Sequence, residues 1–229
     1  MSDRSSHIGT LSEKSLHSQL KKWSALPGDE FEASVDGFVV DIQRGDELIE
    51  IQTGNFAKIK RKLLNLIQHH RVRLVFPIPR EKWIVRQSTE GEYIGRRRSP
   101  KRGNILDMFT ELVYIPPCLT NRNFSLQVLI TQEEEIRRGD GQGSWRRGGW
   151  SIFDRRLLDV YESHIFSDIQ DYTQFLPAAL PQLFTNRDLA NSLKCKIAQA
   201  RKVTYTLRHA GIIQFHGKKG NANLYTYHR

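Results

Sequence analysis

Apolar residues change their spacing several times in the first third of the chain, and each change predicts a different element. Ser12 is placed to cap a helix whose buried stripe is Leu16, Leu20 and Trp23. From residue 31 to residue 35 apolar and polar residues alternate, and FVVDIQ and LIEIQ continue as further strands. A second helix follows at TGNF, and the apolar run 71–79 predicts a strand buried in an α/β sheet.

The second helix is amphipathic, which predicts one buried and one solvent-exposed face. Its inward residues are Phe56, Ile59, Leu63, Leu66 and Ile67, and its outward residues are Lys58, Arg61, Lys62, Asn65 and His69. Farther along, KWIVRQ, EYIGRRR, ELVYIPP and FSLQVLITQ have strand character, the last at an expected edge of the sheet. GNILDMFTEL has helical spacing. The glycine-rich RRGDGQGSWRRGGW predicts a flexible junction or long surface loop, and residues 151–169 predict an amphipathic linker helix.

The last 45 residues predict two helices and a hairpin. Thr185 and Asp188 form a capping-box pattern, and a second helix after Lys196 keeps apolar residues on one face. Its other face is basic, and the tip HGKKGNA joins two short strands. This order resembles the winged helix-turn-helix family, which implies DNA binding, with docking of a protein partner as the alternative. The resemblance assigns DNA contacts to Arg201, Lys202, Tyr205, Arg208, Lys218 and Lys219.

Charge strengthens the expectation of a nucleic-acid partner. The 229-residue chain has a formal net charge of +10, which favours a polyanion, meaning nucleic acid before an anionic membrane. Lys60 to Arg102 contain 13 Lys and Arg against 3 Glu, and RRRSPKRG within them predicts a loop lying on phosphate. The phosphate contacts expected there are Arg96, Arg97, Arg98, Lys101 and Arg102.

Neither a leader nor a membrane span is visible in the sequence, so a cytoplasmic protein is expected. The two cysteines, Cys118 and Cys195, have no Cys or His neighbours at zinc spacing and are expected to be reduced. The organisation predicted is a domain at 1–138, a Gly-rich loop and linker helix at 139–176, and a winged-helix domain at 177–229.

The order of elements in residues 12–79, with Asp36 near one strand and Glu-Ile-Gln at the end of another, resembles the PD-(D/E)XK nuclease superfamily. The resemblance implies an α/β fold with a restriction-endonuclease-like mixed central sheet flanked by helices. It implies that Asp36 and Glu50 hold Mg²⁺ (or Mn²⁺), that Glu13 assists, and that Gln52 positions the attacking water. Two carboxylates plus a substrate phosphate are a sufficient ligand set for Mg²⁺.

Gln52 departs from the family pattern, which has a lysine at this place. An amide orients water but adds no positive charge, so Lys58 is the candidate for a displaced ammonium, with Lys14 and His17 behind it. Asp41 competes with Asp36 for the metal role and ranks below it. Asp36-Gly37 also fits a plain turn, and Glu13 a favourable charge at a helix start.

Three functions therefore follow from the sequence. The first is a Mg²⁺-dependent DNA endonuclease, the second a non-catalytic DNA-binding regulator on a decayed nuclease fold, and the third an adaptor whose winged helix docks a protein. A homodimer is compatible with each of them.

Overall fold

The computed structural model describes residues 15–227 and has a mixed α/β fold, with a central mixed sheet flanked by helices. Ser12, Glu13 and Lys14 lie outside the described residues. The sheet contains β1 (Glu30–Val35), β2 (Phe38–Arg44), β3 (Glu47–Ile51), β4 (Arg71–Gln87), β5 (Tyr93–Arg98), β6 (Phe124–Arg138) and β7 (Ser151–Phe166). The helices are α1 (Ser15–Ser24), α2 (Phe56–Leu66), α3 (Phe109–Leu112), α4 (Asn186–Ser192) and α5 (Ile197–His209).

The seven strands run in the order β1-β2-β3-β4-β6-β7, with β5 paired to β4. The first three form an antiparallel meander, β3, β4 and β6 are parallel, and β7 is antiparallel to β6. Pairing of β4 with β3 ends at Val75, and β5 takes up that edge from Trp83. The sheet therefore has a proximal part next to β3 and a distal extension of β5, β4, β6 and β7.

Helices cover both faces of the proximal sheet. On one face, Leu16 and Leu20 of α1 pack with Ile42, Ile49, Ile51, Val75 and Leu129, as their helical spacing predicts. On the other, Phe56, Leu63 and Leu66 of α2 enter the larger core. Trp23 was expected in the buried stripe of α1, but 45% of it is exposed, because it lies in the last turn, beyond the sheet residues that α1 covers.

The predicted linker helix over residues 151–169 is wrong, because most of this segment is β7. Pairing with β6 shifts register at three points, and each shift leaves an extra residue in β7: Phe153, Leu158 and Tyr161. Every such bulge displaces the two-residue period by one position. Bulges therefore gave the apolar residues of a strand the spacing of a helix. The same pairing makes β6 an interior strand rather than the predicted edge.

Three other segments differ from their predictions. ELVYIPP is not a strand, since it contains the end of α3 and the start of a 3-10 turn at Pro116–Thr120. Arg96, Arg97 and Arg98 lie on β5 instead of in a loop. The glycine-rich segment connects β6 to β7 within one sheet, so it is a surface loop and not a junction between domains.

The C-terminal unit comprises α4, α5 and a small sheet of β8 (Leu183–Thr185), β9 (Gln214–Lys219) and β10 (Ala222–Thr226) in the order β8-β10-β9. The capping box is confirmed, because Thr185 Oγ1 accepts from the Asp188 N–H and the Asp188 carboxylate accepts from the Thr185 N–H. Leu189, Val203 and Leu207 share one core with Phe109 and Phe175. In the part of the chain described, no helix is long and apolar enough to cross a membrane.

Candidate active site and nucleic-acid interface

Asp41 and Glu50 lie on neighbouring strands just past the end of their shared ladder. The β2–β3 pairing ends with Ile42 opposite Ile49, and Asp41 and Glu50 are the next residues on the two strands. The two acids are close enough to interact, since burial raises the pKa of Glu50 and the negative charge of Asp41 adds to that rise.

Strand β2 bends at Asp41, and the bend turns the carboxylate toward β3. Val40 packs on the α2 side of the sheet and Ile42 on the α1 side, although two residues of a regular strand would share a face. On the other flank Glu32 has a positive φ of 54° and drops out of the β1–β2 register. Asp41 Oδ2 accepts the Ile51 N–H at 2.8 Å, a bond that a regular ladder gives to backbone.

Cations from α1 stabilise the ionised form of Asp41. His17 Nε2 lies 3.3 Å from Asp41 Oδ2, and Lys21 Nζ lies 3.7 Å from Oδ1. Burial raises the pKa of Asp41, but the hydrogen bond and charge of His17, the Ile51 N–H and Lys21 outweigh it, so the pKa is lowered overall. Asp41 is a carboxylate over the physiological pH range.

Glu50 has the opposite character. Its side chain faces α2, where Oε1 forms an ion pair with Lys62 Nζ, and the residue is only 5% exposed. Burial is the main cause that raises the pKa of Glu50 to about 7, opposed by Lys62 and helped by Asp41. The site therefore combines a carboxylate that stays ionised with one that takes up a proton near neutral pH.

Asp36, which the sequence ranked first, lies elsewhere. It sits at the turn before Gly37 with a φ of 49°, and its Oδ2 is 2.8 Å from His70 Nε2. The alternative interpretation of Asp36-Gly37 as a plain turn is the one that the backbone follows. When the two strands are paired outward from the β2–β3 turn, the residue next to Glu50 is Asp41 and not Asp36. The sequence alone contains this signal.

The expected ammonium also comes from a different residue. Lys58 is exposed, whereas Lys62, one helical turn farther along α2 and expected to face outward, reaches Glu50 and also donates to the Val39 carbonyl. The long aliphatic stem of a lysine lets its charged end reach back over a sheet. Gln52 Nε2 donates to the Gly54 and Asn55 carbonyls at the start of α2.

The two carboxylates are held from opposite faces of the sheet, Asp41 by groups of α1 and Glu50 by Lys62 of α2. Asp41 and Glu50 supply carboxylate oxygens from adjacent strands, and Mg²⁺ is commonly held by one or two carboxylates together with waters and a substrate phosphate. Among residues 15–227 no group of three or more His, Cys, Asp or Glu side chains is arranged to hold a metal. A cation here would therefore depend on these two carboxylates and on oxygens from its substrate.

A second feature is a basic groove of about 1010 Å³ between α5, the start of α4 and the β9–β10 hairpin. Its cationic lining residues are Arg187, Arg201, Arg208 and Lys219. Tyr205 projects into it from the exposed face of α5, where 48% of the residue is accessible. Lys218 is exposed on the hairpin beside Lys219. All of these residues except Arg187 are DNA contacts predicted from the sequence. Arg187 precedes Asp188 in the capping box of α4.

Lys202 does not share this groove. Its Nζ donates to Thr110 Oγ1 at 3.1 Å, and Gln199 on the same side of α5 donates to Asp107 Oδ1 at 2.9 Å. Lys202 therefore fastens α5 to the central sheet domain. A helical wheel shows an unburied face of α5 but not that a neighbouring segment contacts part of it, so the predicted DNA contact of Lys202 stays a prediction.

The basic cluster of β5 is partly neutralised. Arg96 pairs with Glu134 at 3.0 Å and stacks on Trp83, and Arg98 pairs with Glu81. Arg97, Lys101 and Arg102 are exposed. These last three side chains are the ones in this cluster best placed for the phosphate contacts that the sequence predicts.

These elements define a mixed α/β protein with a lysine-paired carboxylate pair in its sheet and a basic groove in its C-terminal unit. The chain belongs to the family described as Domain of unknown function (DUF8091), whose model matches residues 14–167, the segment that ends within the last residues of the central sheet. A protein of Treponema pallidum (strain Nichols), described as an uncharacterized protein, is 29% identical over 222 residues, spanning 95% of this chain and 86% of that protein. No solved structure matches the chain significantly.

Proposed function

We propose that the protein is a metal-dependent DNA endonuclease of the restriction-endonuclease-like type, with a winged-helix DNA-binding unit at its C-terminus. The observation that carries the proposal is the neighbouring pair of acids Asp41 and Glu50, with Lys62 against Glu50. Two carboxylates close together within a sheet repel each other, and a bound metal ion would offset this repulsion in addition to His17, Lys21 and Lys62.

Asp41 and Glu50 are the residues that would hold Mg²⁺ or Mn²⁺. When bound, such an ion polarises the scissile phosphate and lowers the pKa of a coordinated water. Lys62 contributes the positive charge beside the phosphate. In the nuclease family a lysine at the position of Gln52 has this role. His17 and Lys21 keep Asp41 ionised and fixed in orientation. Gln52, whose amide is engaged at the start of α2, positions that helix and the neighbouring end of β3.

The C-terminal groove supports duplex DNA as the substrate. A helix carrying Arg201, Tyr205 and Arg208 on its exposed face fits the major groove, and a hairpin with two lysines fits the adjacent phosphates. Arg187 at the start of α4 adds a further cation on the same side.

The decisive experiment measures cleavage of supercoiled, linear and branched DNA in Mg²⁺ or Mn²⁺ by four proteins: the intact chain, Asp41→Asn, Glu50→Gln and Asp36→Asn. We expect the first two variants to lose at least about 100-fold in rate, as when one stabilising group of a reaction centre is removed. Asp36→Asn is the matched control, since it removes another aspartate of the same β1–β2 hairpin. Unchanged cleavage by Asp41→Asn and Glu50→Gln would reject the proposed centre.

A second candidate function is a DNA-binding regulator without cleavage activity. It is favoured by the Glu50–Lys62 ion pair, in which a protein ammonium already balances the buried carboxylate. Under this alternative the intact chain cleaves none of the substrates with either metal. Binding still weakens when Arg201 and Arg208 are replaced by Ala, whereas an adaptor that docks a protein would bind DNA equally well after that change.

A further inference from the structure

The loop between β6 and β7 is a compact structure with a fixed shape. The Gly143 N–H donates to the Gly149 carbonyl at 2.8 Å, Arg147 Nε donates to the Trp150 carbonyl at 3.0 Å, and Ser151 Oγ donates to Asp140 at 2.6 Å. Gly143 lies so close to the opposite side of the loop that an added Cβ would be 1.9 Å from the Trp150 carbonyl oxygen. The glycines thus permit close backbone contact, and the loop holds its tip in place.

The tip presents a tryptophan to solvent. Trp145 begins a single 3-10 turn closed by Gly148 in the left-handed region, and 84% of Trp145 is exposed, the largest fraction among the big apolar side chains described. Tryptophan gains much from burial, so an indole held outward on an ordered loop is a feature expected of a contact surface. Trp23 and Trp150 are less exposed.

Arg146 lies next to this indole, and further arginines lie elsewhere in the same loop. Residues 137–150 contain four Arg and one Asp, and that Asp140 is held by Ser151. Arg146 lies 5.5 Å from the Trp145 ring centroid, and no carboxylate of residues 15–227 forms an ion pair with it. Next to the loop, exposed Arg86 stacks on Trp150 at 4.9 Å. The β4–β5 turn lies beside the loop, because Gln87 pairs with both Tyr93 and Arg138.

We infer that this loop, with Trp145 at its tip, Arg146 next to the indole and Arg86 against Trp150 at its end, binds unpaired nucleotides of a nucleic acid, with the indole stacking on a base and the arginines contacting phosphates. A flat exposed ring next to a cation, with further cations along the same loop, matches a ligand in which aromatic faces alternate with negative charges. In a continuous duplex the faces of the bases are already stacked on each other. The ligand must therefore offer a single strand, an overhang or a fork.

The inference rests on the proposed function and narrows it, because it names DNA with unpaired bases as the preferred substrate of the same protein. It adds a contact surface on the distal extension of the sheet, separate from the C-terminal groove. An acidic protein or an anionic membrane would also attract a loop of tryptophan and arginine, and both are outcomes that the test distinguishes.

The test compares the full-length chain with Trp145→Ala, Trp145→Phe and the matched control Trp23→Ala. Fluorescence anisotropy in EDTA, where cleavage is absent, measures binding to a labelled single strand, the same sequence as a blunt duplex, and a duplex with a single-stranded tail. We expect Trp145→Ala to bind the single strand and the tailed duplex about 10-fold more weakly, with blunt-duplex binding unchanged. Trp145→Phe should retain most of the affinity, and Trp23→Ala should retain all of it.

Equal binding by Trp145→Ala and the intact chain, or an equal loss on all three DNAs, would overturn the inference. It would also be overturned if the variant lost affinity only for vesicles containing an anionic phospholipid or only for a polyglutamate peptide. Thermal unfolding midpoints verify that the variants are folded, since Trp145 is outside the core. Cleavage in Mg²⁺ by the Glu50→Gln variant is assayed separately, so failure of the nuclease proposal is visible without reference to Trp145.

Discussion

At the scale of single residues, Glu50 carries the greatest energetic consequence. It is an acid in an otherwise apolar strand, with Leu48, Ile49 and Ile51 all buried around it. Burial disfavours its charge, and Lys62 only partly compensates. Such a side chain is costly for the folded state at neutral pH, and the proposed metal ion would lower that cost.

The raised pKa of Glu50 predicts a pH-dependent stability in metal-free buffer. A carboxyl whose folded pKa of about 7 exceeds its ordinary 4.5 stabilises the fold fully below 4.5, and this contribution is lost as pH rises through 7. We expect the free energy of unfolding of Glu50→Gln, relative to the intact chain, to increase by about 3 kcal/mol between these pH values. Urea titrations at a series of pH values measure it, and a pH-independent difference would contradict it.

Lys62 and Lys58 give a second residue-scale prediction. Lys62→Met removes the ammonium paired with Glu50, so the pKa of Glu50 should rise further, and the cleavage rate should fall by about 100-fold. Lys58→Met, one turn earlier on the same helix and exposed, should leave the rate nearly unchanged. Cleavage rates at saturating Mg²⁺ measure the effect of each change. Equal effects of Lys62→Met and Lys58→Met would show that only overall charge matters.

At the scale of elements, local pattern predicted α1, α2, β1 to β3 and the helix pair of the C-terminal unit, because each has a cap or a period that is broken at most once, as at Glu32 and Asp41. It failed for β7, where three bulges break the period, and for β6, whose interior position depends on β7. Bulges are invisible in a single strand's sequence, since they are defined only against the partner strand.

The glycine-rich loop gives a prediction at this scale. Gly143→Ala should force the two sides of the loop apart. Its added Cβ would lie 1.9 Å from the Trp150 carbonyl oxygen and 2.0 Å from the carbonyl carbon, far closer than van der Waals contact allows. We expect greater amide hydrogen exchange through residues 139–150 with the core unaffected. Gly95→Ala is the matched control, since nothing lies within 4 Å of its added Cβ and its backbone is extended on β5. Identical exchange in the two variants would contradict the compact loop.

At the scale of the whole molecule, the C-terminal unit and the central sheet form one continuous core. Phe184, Leu189 and Leu207 belong to the same buried cluster as Phe109 and Phe166, and Lys202 and Gln199 fasten α5 to the segment around α3. Glu111 on α3 in turn accepts the Phe56 N–H at the start of α2. Helix α5, which lines the groove, is thus connected through the segment around α3 to the helix that carries Lys62.

The shared core predicts a single cooperative unfolding transition for the intact chain. Leu207→Ala, at a fully buried position of α5, should destabilise the entire protein by about 2–5 kcal/mol, and the central sheet should unfold together with the C-terminal unit. Ile197→Ala, at a 40% exposed position of the same helix, should have a much smaller effect. Calorimetry provides the measurement, and two separated transitions, with only one moved by Leu207→Ala, would contradict the prediction.

The sequence by itself determined the alternation that builds β1 to β3, the amphipathic α2, the capping box of α4, the basic α5 and the acid in the Glu50 triplet, because each depends on residues close together in the chain. Only the tertiary structure decided that groups of α1 hold Asp41, that Lys62 supplies the ammonium, that Lys202 contacts Thr110, and that residues 151–166 complete the sheet. These features depend on strand register, bulges and packing between distant segments. A local period contains no information about them.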